Sequence, residues 1–260
     1  MYMKKIAAKF IIVFAVSPFV GMAQDNGITI AKEADKRDNG WASVSMSFTM
    51  TLKNRSGQET VRKLHSYMLE IENDGDKSLV VFDNPSDVKG TASLVYSHKK
   101  GDDDQWLYLP ALKQVKRISS SNKSGPFMGS EFAYEDVSSQ EVEKFNYKYI
   151  GLSKFNEEEC FLVERYPLAK NSGYKRQQVW FNKTNYRIAK IDFYDRKDLL
   201  IKTLTYSGYK LYGEKFWRPD QMTMQNHQTG KETITQFSSY QFGIGLSNDN
   251  FTQNSLQNAK

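Results

Sequence analysis

Few side chains in this sequence could do chemistry, and they are scattered. The 260 residues include one cysteine, Cys160, and three histidines, His65, His98 and His227. No two histidines stand in the His-x-x-x-His spacing that turns both imidazoles toward one metal, so a hydrolytic zinc site and a histidine general base lack support. A lone cysteine builds neither a disulfide framework nor a zinc finger. Nucleophile elbow, P-loop and dinucleotide fingerprint are all missing. Asp102, Asp103 and Asp104 follow Gly101 and cluster carboxylates, but without the ligand spacing of a calcium loop; they read as a solvated hairpin turn. Glu157, Glu158 and Glu159 read as a charged turn entering a strand. The residues therefore argue for no enzyme, no metal site and no cofactor.

The formal charge of +6 raises a nucleic-acid or membrane partner as a possibility, and the N-terminus removes it. Lys4 and Lys5 precede an apolar run from Ile6 to Val20, interrupted by Lys9, Ser17 and Pro18, and Gly21-Met22-Ala23 ends it. That pattern is a signal peptide over residues 1–23, cleaved after Ala23, and about 15 apolar-rich residues are too few for a stable anchor. No cysteine follows the run, so the mature end is not lipidated. Loss of Lys4, Lys5 and Lys9 leaves 33 basic residues against 30 acidic ones, interspersed throughout, which is no footprint for nucleic acid. Export also places Cys160 where an unpaired thiol belongs in the core.

Residues 24–260 read as a single domain, since no Pro-, Gly- or Ser-rich linker divides them. Ile28, Ala31 and Ala34 form a helical stripe between Ile28 and Arg37, and Asn39-Gly40 stops it. Val44, Met46, Phe48, Met50 and Leu52 then alternate with serines, threonines and Lys53, the period of a strand with one apolar face. A turn at residues 54–57 leads into a second long strand. Similar runs recur to Phe242, joined by Asn, Asp and Gly turns and without long helices between them, which predicts an antiparallel meander of about 11 strands. A sheet that large curls into a barrel or half-barrel, and aromatics at 13% of the chain either fill its interior or line it. Pro219 inside a run marks an edge or bulge, so closure is incomplete.

Ser119 to Ser139 breaks the alternation, yet Phe127, Met128, Phe132, Tyr134 and Val137 are too apolar to leave in water. The segment, with a turn or two of helix over Ser130–Asp136, folds over the mouth of the sheet, either as a plug that completes a solid core or as a lid over a ligand cavity. The tail from Gln253 to Lys260 has little apolar surface and is expected to fray.

The block from Trp106 to Ser121 (WLYLPALKQVKRISSS), followed by Ser124 to Asp136 (SGPFMGSEFAYED), resembles the exported outer-membrane lipoprotein-sorting proteins, the LolA-like group. Arg37 to Trp41, Asp87 to Thr91, Tyr149 to Gly151 and Asp249 to Leu256 extend the resemblance along nearly the whole mature chain. It implies a mostly β, incomplete antiparallel barrel (half-barrel) with an N-terminal helix and a helical lid or plug, as in LolA and LolB. It also implies a hydrophobic cavity that shields acyl chains of lipoproteins or lipids in the periplasm, with only transient membrane contact, and an association with RND-type transporters. Trp106, Tyr108, Phe127, Met128, Phe132 and Tyr134 match the family pattern and become candidate cavity or lid residues beside Val44, Met46, Phe48, Met50 and Leu52, whose methionines suit chains of variable shape. Lys116, Arg117 and Lys123 either meet anionic head groups or a partner, or are simply solvated. Each buried methylene contributes about 0.8 kcal/mol, so one long acyl chain needs a cover worth roughly 10 kcal/mol to cross water. The alternative implied by the resemblance is a lipid-free accessory protein of an RND-type transporter.

Overall fold

A computed structural model of the chain describes residues 19–259. The expected signal peptide lies outside the described residues up to residue 18, and the cleavage position after Ala23 falls within the first helix, α1 (Phe19–Asp38). The helix stops where Asn39 and Gly40 predicted; Gly40, at φ +97°, takes the chain out of it. Among the described residues, no helix is long and apolar enough to cross a membrane.

The alternating run becomes β1 (Ser43–Lys53), which pairs with β2 (Glu59–Leu69) in register from Ser43 opposite Leu69 to Lys53 opposite Glu59. Their turn is held by Asn54 Oδ1, which accepts from the backbone N–H groups of Ser56 and Gln58. The meander continues through β3 (Lys77–Asn84), β4 (Ala92–Tyr96) and β5 (Asp104–Leu109) to an edge at β6 (Gln114–Arg117). A second meander starts at the other edge, β7 (Phe145–Phe155), and runs through β8 (Glu158–Pro167), β9 (Tyr174–Asn182), β10 (Ile188–Asp195) and β11 (Leu200–Ser207). After the separate hairpin β12 (Lys210–Tyr212) and β13 (Phe216–Arg218) it returns as β14 (Gln221–Asn226) and β15 (Glu232–Phe242). β15 pairs with β1 and joins the halves into one antiparallel sheet of 13 strands. β6 and β7 do not pair, so the sheet stays open and is a half-barrel.

Fifteen strands form among the described residues where about 11 were expected, in part because two long runs are cut. Gly208, at φ +65° and with Asp220 side-chain atoms 2.8 Å from where a Cβ would stand, divides Leu200–Leu211 into β11 and β12. Pro219, without an N–H to donate, separates β13 from β14.

Residues 118–144 connect the two unpaired edges, which is why this one long segment lacks strand periodicity: it crosses the inner face of the sheet. Its helical content is confined to short 3-10 turns at Ser120–Asn122, Phe127–Gly129 and Val142–Lys144, while Ser130–Asp136, expected as a helical turn, is irregular. The helix α1 covers another part of the inner face. Gly27 rests on β7 so closely that a Cβ would stand 2.9 Å from the Tyr149 nitrogen, and Ile30 and Ala31 are buried beyond it.

The outer face carries its own cover. Leu79 and Val81 of β3 and Ala92 and Leu94 of β4 alternate with inward residues and would meet water if the tail frayed. The tail instead forms α2 (Gln253–Asn258), capped by Thr252 Oγ1, which accepts from the Ser255 N–H at 3.0 Å. Phe251 and Leu256, both fully buried, seat it on those strands and overturn the expected fraying. Cys160 is buried on the outer face beside Trp180 and Ala189, and burial pushes its thiol up.

Candidate functional site

One part of the inner face is packed solid. Phe127 and Phe132 join a cluster with Phe48 and Met50 of β1, Leu64 of β2 and Phe82 of β3. The rings of Phe127 and Phe82 are 6.1 Å apart, and Tyr134 meets Phe127 edge-on at 5.5 Å. Met128, Tyr134 and Leu52 pack around this cluster half-buried. Polar contacts fix the segment. Asp136 forms a buried ion pair with Lys202 at 2.9 Å and accepts hydrogen bonds from the Tyr174 hydroxyl at 2.9 Å and the Ala133 N–H at 2.7 Å. Lys202 also donates to the Glu131 carbonyl at 3.0 Å, and Asn226 donates to the Glu131 carboxylate at 2.6 Å. Burial, reinforced by Asp136, drives the Tyr174 phenol well above its usual value, so it remains a donor. Met128 is left-handed at φ 50°, and Arg62 Nη1 donates to its carbonyl at 2.5 Å. The segment thus plugs one end of the inner face and bounds the open space beside it.

That space is a cavity of about 1400 Å³ between α1 and the sheet, above the ~300–1,000 Å³ of ordinary small-molecule pockets. Val44 and Met46 of β1, Met68 of β2, Phe181 of β9, Met222 of β14 and Phe237 of β15 line it, with Ala31 and Ala34 of α1 on the helix side. Three methionines make the wall adaptable. Acidic groups including Asp35, Asp76 and Glu141 also line it, and burial raises all three, Asp76 to about 7.

The structure does not gather all the predicted residues at one site. Val44 and Met46 line the cavity, whereas Phe48, Met50 and Leu52 pack with the plug residues Phe127, Met128, Phe132 and Tyr134. Trp106 and Tyr108 lie on the outer face, with Trp106 edge-on to Tyr96 at 5.0 Å and the C-terminal segment over them. A two-residue period along β5 sends Gln105 inward, where it donates to the Tyr134 carbonyl, and therefore Trp106 outward. Lys116 and Arg117 are exposed on the edge strand β6 and do not line the cavity; Arg117 pairs with Asp104. Lys123 is not solvated, standing half-buried 3.7 Å from Asp102.

No curated protein matches the chain. A family profile described as an uncharacterized protein matches residues 74–258. A crystal structure described as an outer-membrane lipoprotein-sorting protein domain, from Vibrio parahaemolyticus, is 51% identical over 90% of this chain and 99% of that one, with a TM-score of 0.88. A DUF1329 family protein from Desulfovibrio piger is 30% identical over 90% of this chain and 99% of that one, with a TM-score of 0.85. The chain belongs to the DUF1329 family. A LolA superfamily protein from Nitrosomonas europaea, 20% identical over 87% of this chain and 97% of that one, shares the fold at a TM-score of 0.70.

Several cavity residues of this DUF1329 domain escaped sequence reading, notably Met68, Phe181, Tyr206, Met222 and Arg165. Arg165 left a trace: Phe161, Val163 and Arg165 share the inner face of β8 by period two, so a guanidinium stands where the pattern calls for an apolar side chain.

The Asp102–Asp104 turn of this DUF1329 domain ties elements together rather than standing solvated. Asp103 pairs with Lys144 at 2.6 Å, and His98 lies between Asp74 at 2.7 Å and Asp104 at 3.2 Å. The hydrogen bond to Asp74 raises His98, and the same bond holds Asp74 down to about 2. A raised histidine stabilises the fold fully below its unfolded value near ~6.5 and loses that contribution as pH rises through its folded value. A depressed aspartate stabilises above its unfolded value near ~3.9 and loses that contribution as pH falls toward the folded value. His98→Gln should therefore lower Tm more at about pH 5.5 than at about pH 8.5. Equal losses at both would show that the cluster contributes nothing electrostatic.

Proposed function

We propose that this protein is a periplasmic carrier that shields the acyl chains of lipoproteins or lipids during transfer to the outer membrane. The observation that carries the reading is the large methionine-bearing cavity left open beside a packed plug, in a family whose Vibrio member is described as lipoprotein-sorting. The sequence supports export through residues 1–23, which are cleaved after Ala23 in this reading. Shielding is a matter of apolar burial alone, so the function asks for no catalytic group or cofactor.

Gently purified protein should carry acyl species detectable by native mass spectrometry. Met46→Trp, which fills the cavity from β1 without touching the plug anchors, should reduce affinity for a neutral alkyl probe by about tenfold or more, the effect of losing a few buried methylenes. Protein that is consistently empty and indifferent to the probe would defeat the carrier reading. If such protein crosslinked to an RND-type transporter in cells, the lipid-free accessory role would take its place.

A further inference from the structure

Two cations among the described residues are more than nine-tenths buried, Lys202 and Arg165. Lys202 has Asp136; Arg165 has no carboxylate within ion-pair distance among the described residues. Its Nε donates to Gln177 Oε1 at 2.6 Å, one Nη reaches Gln140 Oε1 at 3.4 Å, and its guanidinium lies 4.5 Å from the Phe145 ring centroid. These neutral neighbours orient the group without balancing its charge. Arginine stays protonated even when burial disfavours it, so a full positive charge sits in a cavity wall that also carries carboxylates such as Asp35, Asp76 and Glu141, none of them within ion-pair distance of it. An unpaired buried charge is costly unless something pairs with it. Tyr206, in the same cavity, has no hydrogen-bond partner for its hydroxyl among the described residues, and burial pushes it up to about 12, so it remains a neutral donor near Arg165.

We propose that Arg165, assisted by Tyr206, is a head-group site for an oxyanion carried on an alkyl chain, so that the cargo of the cavity is an acidic amphiphile bearing a carboxylate or phosphate. A guanidinium meets either oxyanion through two parallel N–H donors, and the apolar wall from Val44 to Met222 takes the chain. The site rests on the carrier reading and narrows it: a neutral chain has nothing to offer Arg165, whereas a fatty acid or an acidic phospholipid neutralises it.

The test compares palmitate, dipalmitoyl phosphatidic acid, hexadecanol and inorganic phosphate as ligands of the delipidated full mature chain, with wild type, Arg165→Met and Arg165→Lys. Palmitate or phosphatidic acid should bind wild type at least about tenfold more tightly than hexadecanol, the effect of one hydrogen bond to a charged group. Arg165→Met should erase that preference, so that the acids and hexadecanol bind it alike, and Arg165→Lys should retain part of it. If hexadecanol binds as well as the acids to wild type, the head-group site is overturned and the carrier stands. Failure of every amphiphile to bind wild type defeats carrier and site together. Displacement of palmitate by inorganic phosphate at equal concentration would also overturn the proposal, by showing a site for the free ion. The wild-type comparison decides the matter even if Arg165→Met does not fold.

Discussion

Lys202→Met is expected to destabilise the protein by about 3–5 kcal/mol, because it strands Asp136 as a buried carboxylate without its cation. For a domain of this size that corresponds to a fall in Tm of roughly 10 °C. Lys202 and Asp136 side chains are only 9% and 5% exposed, so water cannot take over the pairing. The remaining donors, Tyr174 and the Ala133 N–H, soften the loss but do not neutralise the charge. Asp136→Asn combined with Lys202→Met should recover much of the stability, and a double-mutant cycle by chemical denaturation measures the coupling. A single-variant loss below about 1 kcal/mol would mean that the plug is held by its aromatic packing alone. The result bears on function because this ion pair anchors the segment that bounds the cavity.

Phe251→Ala should cost about 3–5 kcal/mol, the usual loss for a fully buried phenylalanine. It opens a void beneath α2, over Leu79, Val81, Ala92 and Leu94. The tail and the cavity lie on opposite faces of one sheet, so acyl-probe affinity measured well below the unfolding transition should stay unchanged. Urea denaturation gives the first quantity and probe titration the second. A stability change within about 0.5 kcal/mol would show that the tail is dispensable, as its composition suggests.

The course of β1 was readable because period two is a local property: Val44 through Leu52 put five apolar side chains on one face whatever lies opposite. What lies opposite is not local. The same strand face borders the cavity at Met46, packs Val44 against Trp41 and Phe216, and meets the plug at Phe48 and Met50, because the crossing segment reaches only part of the sheet. Trp106 and Tyr108 show the complementary limit. Their alternation with Gln105 and Leu107 was visible, but β5 has apolar side chains on both faces, and only the seating of Phe251 and Leu256 shows which face the tail covers. The tail misled because one buried residue, Leu256, among polar ones leaves no periodic mark, although Thr252 was a legible cap.

The sequence by itself determined runs of antiparallel strands, the opening helix and the position of the one long interruption, since each rests on spacing between near neighbours, whereas the division into two meanders joined by β1 and β15 appeared only in the fold. Tertiary structure decided where the interruption goes and what it leaves empty. Two unpaired edges made residues 118–144 cross the inner face, their aromatic side chains filled the nearer end, and α1 spanned the rest without filling it. The buried charge of Arg165 follows the same division: its identity is in the chain, but its burial with no carboxylate partner among the described residues exists only once β7, β8 and β9 stand side by side.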